Sequence, residues 1–130
     1  MNQSTLDDRL FEAAKKAYSK ARARFTNYSV GAALLVEGDI IISGCNVESL
    51  IPSSSICAER TALFSAISQG YTQFKKLVLV MNATPPTVSC GVCAQLLHEF
   101  AQKILITSYN LEGKKREYTL KDLLPFAHTI

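Results

Sequence analysis

Small and apolar residues recur with helical spacing in the first part of the chain. Between Thr5 and about Arg24 they return every three or four positions, which places them on one face of a helix; they are Leu6, Leu10, Ala13, Ala14, Ala17, Tyr18 and Ala21. The basic residues gather toward the end of this segment, where they suit the negative pole of a helix. The pattern predicts an amphipathic helix that covers one face of a sheet.

Two strand-like runs follow at 28–36 and 40–46, joined by Glu37-Gly38-Asp39. A glycine in so short a connection permits the positive φ that a hairpin requires, so we expect the runs to pair antiparallel. Gly31, followed by two alanines, gives the first run a shallow surface. That surface suits a closely packed helix and a bound ligand equally well.

The later strand-like segments begin with one that is more apolar than the two runs of the hairpin. Leu77-Val78-Leu79-Val80-Met81 is uninterruptedly apolar, which is typical of a central strand buried on both faces. Further strand-like segments lie at 103–107 and around Tyr109 and Tyr118.

Two further helices are predicted, and each begins beside a cysteine. One starts near Cys57 and stops near Gly70, and the other follows Cys90. Thr119 and Asp122 have the spacing that caps a last short turn. Strands that alternate with helices after an initial hairpin predict an α/β fold, a three-layer α/β/α sandwich with a mixed five-stranded sheet.

Composition narrows the class of protein. A length of 130 residues predicts one domain spanning 1–130, and 48% hydrophobic with 19% charged residues excludes a disordered chain. No apolar run approaches the roughly 20 residues of a membrane span, and the first residues do not resemble a secretion signal, so we expect a cytoplasmic protein. A net charge of +3, carried by scattered basic residues, does not predict nucleic-acid binding.

Three of the four cysteines stand at two predicted helix starts, Cys57 in one and Cys90 with Cys93 in the other. Three thiolate ligands with an open fourth position are the arrangement of a catalytic zinc site. Glu59 follows the first ligand by two residues, where its carboxylate can move protons to and from a water at that position. The pattern predicts one Zn²⁺ per chain and Glu59 as the catalytic acid and base.

The roles of Arg60 and Cys45, and the type of zinc site, have more than one interpretation. Arg60 can hydrogen-bond the ligand sulfurs and offset the charge of three thiolates, or it can form an ordinary salt bridge. Cys45 suits a small buried hydrophobic position better than a fourth ligand. A structural zinc held by all four cysteines would leave Glu59 idle, and such sites usually pair two C-x-x-C motifs, of which this chain has one.

Cys57-Ala58-Glu59 followed by Cys90-x-x-Cys93 resembles the zinc nucleoside deaminases, and the small cytidine deaminases in particular. The resemblance extends to 27–34, 44–48 and 123–125. It implies the same α/β/α fold and the hydrolytic deamination of cytidine or deoxycytidine to uridine or deoxyuridine plus ammonia, as in pyrimidine salvage. It also implies a small nucleoside as the partner, with no nucleic acid and no membrane.

The resemblance further implies which residues contact the substrate. Tyr28 stands where the family has a base-stacking phenylalanine, Ala58 lies in the pocket, and Asn46 and Glu48 bind the ribose. From the residues alone, another interpretation remains open, in which Asn46 forms a turn and Glu48 lies on the surface. Two other functions also remain open, a deaminase of a modified cytosine nucleoside of the blasticidin type, which usually lacks that glutamate, and a noncatalytic zinc-stabilised binding module.

This chain also departs from the family pattern. The family usually has proline before the second ligand and arginine after the third, and here these are Ser89 and Ala94. The resemblance implies a homotetramer in which neighbouring subunits complete each pocket. The positions expected to reach a neighbour are Leu50, Ile51, Phe126 and His128. Alternatively, Leu50 and Ile51 fold back onto their own core.

Overall fold

The structure is a computed structural model that describes residues 3–129. Its helices are α1 (Gln3–Tyr18), α2 (Ala58–Ser68), α3 (Gly91–Phe100) and the short α4 (Leu120–Leu123). Its strands are β1 (Val30–Val36), β2 (Ile40–Cys45), β3 (Phe74–Met81), β4 (Leu105–Asn110) and β5 (Lys115–Thr119). None of the helices described in 3–129 has the length and apolar character that crossing a membrane requires.

The five strands form one mixed sheet in the order β2-β1-β3-β4-β5. β1 pairs antiparallel with both β2 and β3, β3 and β4 are parallel, and β5 returns antiparallel to β4. The predicted hairpin is therefore confirmed, and Gly38 in its connection has a φ of 73°. The predicted cap of the last helix is also confirmed, because Thr119 and Asp122 form a capping box.

Helices cover both faces of the sheet. On one face, α1 packs its apolar side against β1 and β3; the buried residues are Leu6, Leu10, Ala14, Ala33, Leu35, Val78 and Val80. On the other face, α2 and α3 bury a larger cluster that includes Leu63, Leu97, Leu77 and Leu79. Alternate residues of β3 therefore enter opposite cores, as its continuous apolar sequence predicts. The three-layer α/β/α architecture is confirmed.

The first helix is shorter than its pattern predicts, since it ends at Tyr18 and not near Arg24. The backbone of Arg22 instead hydrogen-bonds residues after β2. Its N–H donates to the Asn46 carbonyl at 3.0 Å, and its carbonyl accepts the Glu48 N–H at 2.9 Å. These long-range bonds replace the intrahelical ones. β4 is also displaced toward the C-terminus from the expected 103–107, because residues 101–104 form a turn in which the Ile104 N–H bonds the Ala101 carbonyl.

Two glycines allow helices to approach the sheet closely enough to position the site. A Cβ on Gly31 would lie 2.0 Å from the Ala14 carbonyl oxygen, so this glycine makes room for α1 and not for a ligand. A Cβ on Gly44 would lie 2.6 Å from the Ala62 nitrogen in α2. The close contact of α2 with β2 holds the start of α2 beside the end of the hairpin.

Candidate active site

The sulfur atoms of Cys57, Cys90 and Cys93 lie within 4.8 Å of one another. Cys57 immediately precedes α2, Cys90 immediately precedes α3, and Cys93 lies in the first turn of α3. Exposed backbone N–H groups at helix N-termini favour thiolates, and the Cys93 N–H points at the Cys90 sulfur at 3.5 Å. A tetrahedral ion with Zn–S bonds of about 2.3 Å can bridge sulfurs at such separations, so the donor set fits zinc.

Cys45 lies outside this group of three in the described part of the chain. It ends β2, and its carbonyl accepts a hydrogen bond from the Thr61 hydroxyl at 3.0 Å. A closed site with four cysteine ligands is therefore not formed.

The thiols influence one another's protonation. A hydrogen bond from Cys93 lowers the pKa of Cys57, and the hydrogen bond and charge of Arg60 lower it further. Together they outweigh burial, which raises this pKa, and bring it to about 5. The same hydrogen bond, together with burial, raises the pKa of Cys93 well above its usual range. A metal ion binds deprotonated sulfurs, so its binding to this pair would release protons.

Arg60 directs one of its guanidinium nitrogens, Nη2, toward the Cys57 sulfur at 3.6 Å. That hydrogen bond is also the main reason that the pKa of Arg60 is raised. The donor thus faces a predicted metal ligand, and the effect of Arg60 on the charge of that ligand stays a prediction.

Glu59 is buried in the first turn of α2, with 6% of its surface exposed. Its Oε2 accepts a hydrogen bond from the Ser89 hydroxyl at 2.6 Å. Burial raises the pKa of this carboxyl and outweighs the opposing effect of the Ser89 hydrogen bond. A carboxyl group in this setting is suited to hold a proton and release it to a neighbouring group.

The metal-binding group and Glu59 open onto one cavity of about 300 Å³. Its lining includes Cys57, Cys90 and Glu59 together with all four predicted substrate contacts, which are Tyr28, Asn46, Glu48 and Ala58. The volume is at the lower end of the range of about 300–1,000 Å³ found for small-molecule sites. The fold therefore brings into one place residues from β1, the end of the hairpin and the starts of two helices.

Asn46 and Glu48 also hold the polypeptide around the cavity. The Asn46 side chain accepts the Val30 N–H at 2.8 Å and donates to the Tyr28 carbonyl at 2.8 Å. Glu48 accepts the N–H groups of Phe25 and Thr26 at 2.9 and 3.0 Å, as well as the Thr26 hydroxyl. Their role toward a ribose stays a prediction, and to it the structure adds a role in shaping the pocket.

Sequence reasoning missed two residues of this site, Thr87 and Ser89. The Tyr28 hydroxyl is 2.6 Å from the Thr87 hydroxyl, which ties the segment before β1 to the loop before the second ligand. Ser89 is noticed in the sequence only as a departure from a usual proline, although it hydrogen-bonds Glu59. A hydroxyl-bearing residue directly before a predicted metal ligand is the one signal that could have drawn attention to it.

The positions expected to reach a neighbouring subunit lie on the surface of the chain. Leu50, Ile51 and Phe126 are 77%, 65% and 97% exposed, so the alternative in which Leu50 and Ile51 fold back onto their own core is wrong. His128 is exposed as well, and its backbone N–H and carbonyl both hydrogen-bond the Gln95 side chain of α3. These four residues do not line the cavity of their own chain as far as 3–129 describe it.

Comparison with known proteins identifies the family that carries this arrangement. The sequence model of the cytidine and deoxycytidylate deaminase zinc-binding region matches residues 4–109. The chain belongs to this family. A cytidine deaminase of Sporosarcina psychrophila is 40% identical over 121 residues, which cover 92% of this chain and 89% of that protein. A blasticidin-S deaminase of Bacillus cereus is 29% identical over 110 residues, 78% of either chain.

Solved structures of the family have the same fold. The crystal structure of cytidine deaminase from Burkholderia pseudomallei superposes with a TM-score of 0.89 at 37% identity and covers 98% of this chain and 100% of that one. The Mycobacterium tuberculosis cytidine deaminase gives a TM-score of 0.80 at 30% identity, with 95% and 97% covered. The predicted family, the α/β fold, the zinc cofactor and the class of hydrolytic deaminase are confirmed.

Proposed function

We propose that this protein is a cytidine/deoxycytidine deaminase that produces uridine or deoxyuridine and ammonia. The observation that carries the proposal is the meeting of three cysteine sulfurs and a buried glutamate at one nucleoside-sized cavity. The relatives named cytidine deaminase, which match this chain over most of its length, support the same substrate class.

Each residue of the site then has a defined task. Cys57, Cys90 and Cys93 would hold the zinc, which would supply an activated water for attack on the ring carbon that bears the amine. Glu59 would accept a proton released by that water, pass it to the adjacent ring nitrogen, and carry the second proton of the water to the departing amine. Arg60 draws negative charge from the Cys57 sulfur through its N–H.

The remaining cavity residues bind and orient the nucleoside. Tyr28 and Ala58 line the cavity. The Tyr28 ring would stack on the base, and the backbone of Ala58, which adjoins Glu59, would hydrogen-bond the edge of the base. Asn46 and Glu48 bind sugar hydroxyls with the hydrogen-bonding capacity that their contacts to 25–30 leave available. A carboxylate offers about four acceptor sites, so Glu48 can accept a hydroxyl in addition to its three present donors.

A modified cytosine nucleoside is the second candidate substrate. The blasticidin-S deaminase relative favours it, whereas the presence of Glu48 favours an unmodified ribose. Ammonia release from cytidine, deoxycytidine, cytosine, adenosine and blasticidin S tests both proposals. Turnover of cytidine or deoxycytidine is expected, and turnover of blasticidin S alone would replace the proposal with the alternative. A zinc-loaded protein that is inactive on the whole panel would favour the noncatalytic binding module.

We propose a homotetramer as the active assembly. Support comes from the exposed apolar side chains of Leu50, Ile51 and Phe126, which burial in subunit contacts would remove from water. His128 belongs to the same tail, which the Gln95 hydrogen bonds place against α3. A role in pyrimidine salvage and a cytoplasmic location accompany this proposal as predictions from the family resemblance.

A further inference from the structure

Ser89 approaches Glu59 from behind the cavity. Thr87, Val88 and Cys90 line the cavity, whereas Ser89 is 5% exposed and is not among the described residues of the lining. Its hydroxyl donates to Glu59 Oε2 at 2.6 Å, the short distance typical of an O–H group bonded to a carboxylate. The Ser89 hydroxyl therefore contacts the cavity through Glu59.

Ser89 is itself anchored to the sheet. Its backbone N–H donates to the Tyr118 hydroxyl at 3.0 Å, and that hydroxyl lies 2.7 Å from the Ser108 hydroxyl. Tyr118 in β5 and Ser108 in β4 are both buried. A continuous set of hydrogen bonds thus runs from two strands of the rigid sheet to the carboxylate at the start of α2.

A flexible glutamate needs such support to act as a proton carrier. Its side chain has three torsions, and within the described part of the chain Ser89 is the side chain that hydrogen-bonds its carboxylate. A donor fixed on Oε2 limits rotation of the carboxylate and sets the direction in which its oxygens face the cavity. Proline, which is usual here in the family that the sequence resembles, has neither a hydroxyl nor an N–H and could make neither bond.

We infer that Ser89 is a positioning residue for Glu59, held in place by Tyr118 and Ser108. The inference rests on the proposed deaminase function, and it assigns to this chain a support for the proton carrier that a proline could not provide. Because proton transfer by Glu59 belongs to the chemical step, loss of the Ser89 hydroxyl should affect kcat and leave KM nearly unchanged.

The test compares Ser89→Ala with Ser89→Thr in zinc-loaded protein. Ser89→Ala should lower kcat about tenfold to a hundredfold, the range expected for loss of a hydrogen bond to a charged group, with native KM and one zinc per chain. Ser89→Thr keeps a hydroxyl and should recover most of the native kcat. Tyr118→Phe keeps the Ser89 hydroxyl but removes the acceptor that anchors the Ser89 N–H, and it should lower kcat less than Ser89→Ala.

Thr107→Val is the matched control. Thr107 is fully buried in β4, and its hydroxyl has no hydrogen-bond partner among the described residues, so its removal should leave kcat unchanged. A native kcat in Ser89→Ala would overturn the inference. Equal losses of kcat in Ser89→Ala and Ser89→Thr would also overturn it, as would a loss of kcat that is fully explained by loss of zinc. If the native protein releases no ammonia from cytidine or deoxycytidine, the proposed function fails instead.

A structural measurement tests the inference independently of activity. Crystal structures of zinc-loaded native protein and Ser89→Ala should show one position of the Glu59 carboxylate in the former and a displaced or multiple position in the latter. An identical single position in both would overturn the positioning role. If Ser89→Ala does not fold, Tyr118→Phe supplies the same comparison, in which an unmoved Ser89 and Glu59 would count against the inference.

Discussion

At the scale of single residues, the pKa of the buried Glu59 carboxyl is raised by some neighbours and lowered by others. Burial raises its pKa, the Ser89 hydroxyl lowers it, the charge of Cys57 raises it and that of Arg60 lowers it. A fully exposed glutamate would lose its proton far below neutral pH and would be a poor acid there. Burial beside a single hydroxyl donor keeps the group able both to accept and to release a proton, which a deamination requires.

Replacement of Glu59 by glutamine tests its role as the proton carrier. The amide has the same shape and can still accept the Ser89 hydrogen bond, so the fold and the zinc content should persist. Because it cannot transfer protons, kcat should fall by at least the ~10²–10⁴-fold attributed to general acid–base catalysis. Ammonia-release kinetics with elemental analysis measure both quantities. Near-native turnover would show that another group carries the proton.

Replacement of single cysteines tests the metal ligands. Cys90→Ser removes one of three sulfurs that lie within 4.8 Å of one another, and the variant should lose most of its zinc. Cys45→Ser is the matched control, because Cys45 lies outside that group, and it should keep one zinc per chain. Elemental analysis of the purified variants gives the answer. Full retention in Cys90→Ser, or loss in Cys45→Ser, would refute the assignment.

At the scale of elements, the site depends on where helices and strands begin and end. The starts of α2 and α3 supply the three sulfurs, and Glu59 lies in the first turn of α2. The end of β2 is tied to the segment before β1 by Asn46 and Glu48. Small shifts between these elements would separate the sulfurs or reshape the cavity, so close packing of α1 and α2 on the sheet is a condition for function.

Gly31→Ala tests that packing. The added Cβ would meet the backbone of Ala14 and Tyr18 at 2.0 and 2.3 Å, so α1 must move away from β1. We expect a loss in the free energy of unfolding of about 1–3 kcal/mol or more, as found for overpacked cores. Gly91→Ala is the control for stability, because a Cβ there meets nothing within 4 Å. Urea denaturation that gives equal stability for both variants would contradict the expectation.

Glu48→Ala separates the two roles of this residue. Loss of a charged acceptor for a sugar hydroxyl should weaken nucleoside binding by about 1.5–3 kcal/mol and raise KM, with zinc content unchanged. Glu37→Ala is a matched control, because Glu37 similarly accepts two consecutive backbone N–H groups, those of Thr72 and Gln73. It should reduce stability without raising KM. Equal turnover of cytosine and cytidine by the native protein would rule out the ribose contact.

At the scale of the whole molecule, a single chain leaves part of its apolar surface in water. Phe126 is 97% exposed at the start of a tail in which the backbone of His128 hydrogen-bonds Gln95 of α3. Leu50 and Ile51 stand in a separate loop before α2. We propose that these two patches are subunit contacts in a closed assembly of identical chains.

Deletion of residues 126–130 tests the proposed assembly. The truncated protein should lose more cytidine deaminase activity than zinc or thermal stability, because Phe126 does not contribute to the described core of its own chain. Sedimentation velocity of the native protein should give a tetramer. A native monomer with full activity at the assay concentration would exclude the proposal.

Much of the fold and the metal chemistry could be predicted from local sequence. The C-x-x-C pair, the third cysteine beside Glu59 and the uninterrupted apolar β3 depend on short spacings, which are visible in one dimension. The end of α1 could not be predicted, because the helical pattern continues to Arg24 while the backbone of Arg22 pairs with residues 46 and 48. Local propensity is overruled there by partners more than twenty positions away.

The sequence by itself determined the residue types, namely three thiols that can bind zinc, a carboxylate beside them and strands and helices that alternate as an α/β/α sandwich. Only the tertiary structure decided which groups meet. It buried Glu59, placed the Ser89 hydroxyl on Glu59, and engaged Asn46 and Glu48 with the backbone of 25–30. It also left Leu50, Ile51 and Phe126 exposed on the surface of the single chain. Burial and hydrogen bonding between distant residues depend on three-dimensional packing, which residue spacing does not encode.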